Sequence, residues 1–244
     1  MCGRFTLTAD SNAVQAAFSW AEPQLGDVPA VPRYNIAPTQ SVMAVIFDGR
    51  HQLVQLKWGL VPAWSKVPQI VPPLFNARAE TVSEKPSFRS AYRQRRCLIL
   101  ADGWFEWQVS AAGKAKQPHW VTLASRHIFA MAGLWEKWAA QGGVELRTCT
   151  VITCAATAEL APLHARMPVI LEARNYGEWL RPGASDAAAV RALLRPWDAE
   201  PLRVQPVSTV VNNARVDSRE CVQPLSASPE LSAPWGARNE YKAR

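Results

Sequence analysis

The stretch Val42-Met43-Ala44-Val45-Ile46-Phe47-Asp48-Gly49-Arg50-His51-Gln52-Leu53-Val54-Gln55-Leu56-Lys57 decides the fold. Residues 42–47 are an unbroken apolar run, and residues 52–57 intersperse apolar with polar residues, so the two read as apolar or alternating strand runs. Asp48-Gly49 between them is a strong local hairpin signal, because glycine takes the positive φ that tight turns need. The same kinds of signal recur downstream. Residues 97–101 read as a buried strand, Asp102-Gly103 as a turn, and residues 104–109 as a strand leading into a flexible turn at 110–113. Residues 119–123 and 128–135 read as another hairpin, and 145–154 as a long alternating strand. Helical stretches occur singly, at 86–94, 172–181 and 185–195, so they lie outside the sheet instead of alternating with its strands. The pattern predicts an α+β fold: a strongly curved or barrel-like antiparallel sheet with peripheral helices.

Upstream of the hairpin, residues 3–7 read as a short strand whose outward end presents Cys2, and Asp10 or Ser11 caps a helix running through Ala17, Phe18 and Trp20. Residues 21–38 hold Pro23, Pro29, Pro32 and Pro38 without a period, which predicts a stiff loop. Residues 58–75, with Pro62, Pro68, Pro72 and Pro73 among Trp58, Trp64 and Phe75, exclude a helix or a central strand. Two readings fit that segment: a packed loop covering one end of the sheet, or a stacking platform for bases.

A chain of 244 residues that is 48% hydrophobic can bury a full core. One domain is expected over 1–223, with residues 224–244, rich in proline and without an apolar period, as a loose tail. Lys+Arg 27 against Asp+Glu 20 leaves a net charge of +7, which permits an anionic partner and does not identify one. The five cysteines are odd in number and lack C-x-x-C spacing, so neither a disulfide framework nor a zinc site is suggested. No metal, other cofactor or obligate protein partner is expected. No apolar run approaches the ~18 residues of a membrane span, and no signal peptide is readable, so a cytoplasmic location is expected.

Chemistry concentrates at Met1-Cys2-Gly3-Arg4-Phe5. Once Met1 is removed, by an aminopeptidase or by the protein itself, Cys2 carries a free α-amine beside its thiol. The amine titrates near ~7.7–8.0 and a free thiol near ~8.5, so both are partly available at neutral pH. Amine attack on an aldehyde gives an imine, and the sulfur can then close on the imine carbon to form a five-membered thiazolidine. A bare second-position cysteine can equally mean nothing. Lipoprotein-type acylation fails for want of an apolar segment before it, and myristoylation needs glycine there.

Few other residues suit such chemistry. Aromatic neighbours in Trp104-Phe105-Glu106-Trp107 would desolvate Glu106 and raise its pKa, as a general acid or base requires; a strand glutamate facing water is the alternative. His164, between Pro162 and Pro168, is a proton carrier or an ordinary loop histidine, and His51, His119 and His127 receive no role. Asn76 suits orienting an amine or a sugar hydroxyl. Arg78 would share a strand face with Asn76 and offers a phosphate clamp, as does Arg4 beside Cys2. The arginines 93, 95 and 96 are either a solvated face or phosphate contacts.

Six motifs extend this picture: Cys2-Gly3-Arg4-Phe5, Arg33-Tyr34-Asn35-Ile36-Ala37-Pro38, Trp58-Gly59-Leu60-Val61-Pro62, Asn76-Ala77-Arg78-Ala79-Glu80-Thr81, Ala101-Asp102-Gly103-Trp104-Phe105-Glu106-Trp107 and His164-Ala165-Arg166-Met167-Pro168. In this order they resemble the SOS response-associated peptidase family. The resemblance implies a protein that binds single-stranded DNA at abasic sites and traps the ring-opened sugar on the N-terminal cysteine as a thiazolidine. It implies a reactive constellation of Cys2, Asn76, Glu106 and His164, with Pro38 and Trp64 on loops that wedge a DNA end. Trp64 is followed by Ser65 where a related protein has a second tryptophan, so the wedge is expected to be thin. Two other classes stay open: a cysteine peptidase using Cys2 with Glu106 and His164, and a non-covalent reader of modified or single-stranded DNA.

Overall fold

A computed structural model describes residues 2–24, 32–68, 70–109, 116–139, 143, 145–183 and 187–225. In chain order its elements are β1 (Phe5–Leu7), α1 (Ser11–Ala17), β2 (Glu22–Pro23), β3 (Arg33–Ile36), β4 (Ser41–Phe47), β5 (His51–Trp58), β6 (Asn76–Arg78), α2 (Arg89–Gln94), β7 (Arg96–Ala101), β8 (Gly103–Val109), β9 (Lys116–Leu123), β10 (Phe129–Ala139), β11 (Glu145–Ala155), β12 (Arg166–Pro168), β13 (Ile170–Leu171), α3 (Tyr176–Leu180), α4 (Ala187–Ala192) and β14 (Leu202–Pro206). The turn expected at 110–113 and residues 226–244 of the expected tail lie outside the described residues.

The β4–β5 hairpin forms with Phe47 opposite His51, and Gly49 at φ 79° makes its turn. β4 also pairs with β7, β7 with β10, and β10 with β11, all antiparallel. β11 then returns to β5 through parallel pairs Thr148↔Lys57 and Cys149↔Trp58. The five strands close on themselves, so the barrel expected from the sequence is present and has no free edge around its ring. Every residue of β7 is buried, since the barrel lies on one side of it and α3 packs on the other.

A second sheet of order β14-β9-β8-β1-β3 packs beside the barrel. The chain crosses between the two sheets at Asp102 and again between β9 and β10. Asp102-Gly103 is therefore a corner, not a hairpin turn, and residues 119–123 and 128–135 do not form a hairpin. Both runs are apolar enough to be strands, but periodicity does not name a strand's partner. The corner is held chemically. The buried Asp102 carboxylate accepts from the Thr6 hydroxyl (2.6 Å), the Thr8 hydroxyl (2.6 Å) and the Thr8 N–H (2.5 Å), fixing β1 in place. Gly103 allows the Trp120 indole and the Val121 carbonyl to approach, the latter 2.9 Å from where a Cβ would sit.

Two further expectations are corrected. Residues 33–36, inside the stretch expected to be a loop, form β3. The sheet that forms the barrel is mixed, because β2 and β6 also pair in parallel with β5 and β11, whereas the second sheet is antiparallel throughout. The α1 cap holds: Asp10 accepts the Ala13 N–H (2.8 Å).

The segment between β5 and β6 is an excursion from one line of strand. β5 and β6 occupy the same edge of β11 in succession, and the chain leaves at Gly59 (φ 135°). Its ends are tied where the Trp58 indole N–H donates to the Phe75 carbonyl (2.8 Å). Among its described residues the excursion contains only the isolated Leu60↔Leu74 bridge, as the prolines require.

Arg96 is not on a solvated face. It is 5% exposed and donates to the carbonyls of Tyr92 (2.6 Å), Trp179 (2.5 Å) and Arg181 at the ends of α2 and α3. A cation there satisfies carbonyls that a helix terminus leaves unpaired. Arg96→Met is expected to lower stability by about 3 kcal/mol in urea denaturation, with Arg96→Lys recovering part; a change below about 0.5 kcal/mol would show that the clamp is dispensable.

Candidate active site

β1 lies between β3 and β8, with Phe5 opposite Trp104 and the Phe105 N–H donating to the Arg4 carbonyl (2.9 Å). This register carries the N-terminal segment alongside Glu106. β6 reaches it from the barrel, and the Asn76 amide nitrogen donates to the Cys2 carbonyl (2.8 Å). Cys2 is fully buried. The expectation that the strand's outer end presents it is therefore wrong. Burial pushes its thiol well above the usual range, and the nearby Glu106 carboxylate adds to the shift. The thiol does not ionise unaided at neutral pH, contrary to the expectation from free cysteine.

Glu106 is 2% exposed, which removes the reading of a strand glutamate facing water. Loss of hydration raises its carboxyl to about 7. Its Oε1 has no hydrogen-bond partner among the described residues and lies 4.0 Å from Nδ1 of His164. His164 sits in the turn before β12, where its Nδ1 lies 3.0 Å from both the N–H and the carbonyl oxygen of Arg166 and can accept from the one or donate to the other. Burial holds its pKa below the usual value, so the ring is neutral at pH 7. Asn76 Oδ1 is likewise buried without a hydrogen-bond partner among the described residues. Unpaired polar atoms of this kind cost stability, and here they face one reactive neighbourhood.

An open cleft of about 470 Å³ is lined by Glu106 and His164 together with Arg4, Trp107, Lys116 and Asn212, while Cys2 and Asn76 lie behind that lining. Arg4 forms part of the wall, and one of its terminal nitrogens donates to Asn35 Oδ1 (2.7 Å) and the Val211 carbonyl (2.6 Å). Arg78 is exposed and separated from Asn76 on β6 by the buried Ala77, so the two share the outward face. Pro38 follows β3 and is half-buried; the next residue, Thr39, takes φ 76°, a strained conformation for a β-branched side chain, with its N–H on the Trp58 carbonyl (2.7 Å). Trp64 stands 65% exposed on the excursion, beside the similarly exposed Val67 and Val71. Ser65 below it is held by the Trp138 indole N–H (2.8 Å).

Cys2, Asn76, Glu106, His164 and Arg4 thus converge, Arg78 adjoins them, and Pro38 and Trp64 occupy separate loops. The sequence reading missed Trp107, Lys116 and Asn212 in the cleft wall. It also missed Arg166, whose guanidinium bridges Glu80 (2.5 and 3.0 Å) and the Thr153 carbonyl, joining the His164 turn to the segment after Asn76. Arg166 lies inside a quoted motif, so a signal existed; Asn212 lies in a stretch with no period, and none did. All five cysteines are buried and unpaired, and no group of three or more His, Cys, Asp or Glu among the described residues could hold a metal ion.

Residues 1–214 match the family model described as SOS response associated peptidase (SRAP). The chain is 41% identical over 224 residues to abasic site processing protein YoqW of Bacillus subtilis, covering 91% of this chain and 99% of that one. It is 30% identical over 276 residues to abasic site processing protein HMCES of Gallus gallus, covering 96% of this chain and 80% of that one. Among solved structures it is similar to a protein from Bacteroides thetaiotaomicron, with a TM-score of 0.81 at 25% identity, covering 92% of this chain and 100% of that one. The family match across both sheets and the site, together with relatives aligned over nearly their whole length, establishes that the chain belongs to the SOS response associated peptidase family.

Proposed function

We propose that this protein processes abasic sites in DNA by binding single strands and capturing the ring-opened sugar aldehyde on Cys2 once Met1 has been removed. The observation that carries the proposal is the convergence of Cys2, Asn76, Glu106 and His164 beside one open cleft. The names of the relatives, abasic site processing proteins, supply the substrate class.

The chemistry follows from the environment of each group. The Cys2 amine adds to the aldehyde carbon, and the carbinolamine loses its hydroxyl as water with a proton from Glu106, whose pKa near 7 keeps much of it protonated. Asn76 holds the Cys2 carbonyl and so orients the amine. Loss of water leaves a protonated imine; the thiol then gives its proton to the Glu106 carboxylate while sulfur closes on the imine carbon and the C=N electron pair returns to nitrogen, which keeps its proton. Aldehyde and aminothiol are consumed; thiazolidine and water result. Neutral His164, 4.0 Å from Glu106, relays protons between the carboxylate and the cleft. The resulting crosslink shields the lesion. Intact mass spectrometry before and after incubation with an abasic oligonucleotide tests this: the expected species lacks Met1 and gains the oligonucleotide minus one water, whereas an unmodified mass would overturn it.

Arg78 and Arg4 are assigned to phosphate, Pro38 and Trp64 to the DNA end. Arg78→Ala should reduce the slope of log K against log salt by roughly 0.7, as expected for one phosphate contact with a single strand. Trp64→Ala should weaken binding by about 1–3 kcal/mol and leave the slope intact, since stacking releases no counterions. Fluorescence anisotropy at several salt concentrations separates the two, and an unchanged slope in Arg78→Ala removes that residue from the phosphate path.

A further inference from the structure

One residue of the cleft lining, Asn212, belongs to a strap, residues 207–217, that follows β14. Asn35 donates through its side-chain amide to the carbonyls of Val211 (3.2 Å), Asn213 (3.1 Å) and Val216 (2.6 Å). Asp217 closes the strap's other end by accepting from the backbone N–H groups of Tyr34 (2.6 Å) and Asn35 (2.9 Å) and from the Arg33 side chain. The motif Arg33-Tyr34-Asn35 thus serves as a buckle. Its effect falls on Asn212, whose flanking carbonyls, at Val211 and Asn213, are both pinned by one buried amide.

Asn212's side chain is fixed as well. The Trp107 indole N–H donates to Asn212 Oδ1 (2.7 Å). An indole nitrogen can only donate, so the amide must turn its oxygen to Trp107 and present its NH₂ elsewhere. Asn212 is exposed and lines the cleft together with Lys116, Arg4 and Glu106. Apart from Glu106 and His164 the wall presents donors and cations, which suits an oxygen-rich anion.

We infer that the strap is a substrate-reading element in which Asn212, oriented by Trp107 and backed by Lys116, donates to a phosphodiester adjoining the abasic sugar. The inference rests on the proposed abasic-site function. It adds a binding residue that the reactive groups do not include. A neutral amide in this role differs from the arginines: it contributes direction without counterion release.

The test uses the Cys2→Ala protein, which cannot crosslink, and a fluorescein-labelled single strand carrying a tetrahydrofuran abasic analogue. Asn212→Ala in that background should weaken binding about tenfold with an unchanged salt slope. Lys116→Ala should reduce the slope by roughly 0.7. Asn212→Asp decides the matter, because it keeps the acceptor for Trp107 and replaces only the donor: it should bind more weakly than Asn212→Ala at low salt, with the gap narrowing as salt rises. If Asn212→Asp binds like its parent, Asn212 merely supports Trp107 and the inference is wrong. Thermal melting of each variant reports on the strap, and the isosteric aspartate remains informative should alanine loosen it. Failure of the parent to bind at all overturns the DNA-binding reading itself, a different outcome from normal binding by the parent and by Asn212→Asp alike.

Discussion

Cys2→Ala is expected to form no SDS-stable adduct with abasic single-stranded DNA, and Cys2→Ser only a slow imine that borohydride traps and dilution releases. The amine alone reaches the imine, but the stable product needs sulfur two bonds away, and that ring closure carries the large advantage of an intramolecular step. Oxygen in serine closes less readily and reopens. Folding should survive either change, because β1 is fixed by Asp102, Thr6 and Thr8 and not by the thiol. Denaturing electrophoresis with and without borohydride reads all three proteins, and a stable adduct in Cys2→Ala would end the thiazolidine proposal. That result would point to another nucleophile.

Glu106→Gln should slow crosslinking by roughly 10²–10⁴-fold, the usual range for a positioned acid or base. The wild-type rate should describe a bell against pH. It rises as the Cys2 amine deprotonates, near ~7.7–8.0 for an ordinary α-amine, and falls as Glu106 loses its proton near about 7. The glutamine variant should lose the alkaline limb. Stability moves in the opposite sense to activity. Because burial raises the folded pKa of Glu106 from the ordinary 4.5 to about 7, the folded state holds a proton that the unfolded state has released between those values. The wild type therefore loses stability progressively from pH 4.5 to about 7, on the order of 3 kcal/mol, and levels off above it. Glu106→Gln should show no such loss and exceed the wild type in denaturation midpoint at pH 8. Equal pH profiles of rate and stability in the two proteins would make Glu106 a structural residue.

The sequence by itself determined the elements whose signals are local. The Asp48-Gly49 hairpin, the Asp10 cap and the breaking of regular structure by Pro62, Pro68, Pro72 and Pro73 depend on neighbours a few residues apart, and each stands as read. The strand read at 145–154 also forms, but residues 148–154 are all buried instead of alternating, because strand burial on both faces is set by packing. The barrel was legible from the succession of strands around solitary helices. Cys2, Asn76, Glu106 and His164 were nameable because their residue types suit aldehyde chemistry and lie in motifs that resemble a family. Tertiary structure alone decided which strands pair, since β8 and β10 are equally apolar and only packing sends them to different sheets. It also decided the ionisation of the site. Aromatic neighbours suggested that Glu106 would be desolvated, but the burial of Cys2 comes from strands remote in sequence closing over the N-terminal segment. The Asn35 buckle spans more than 170 residues to reach Val211, Asn213 and Val216. Hydrogen bonds of that reach leave no period or spacing in the chain, which is why the wall carrying Asn212 emerges only when the fold brings both ends together.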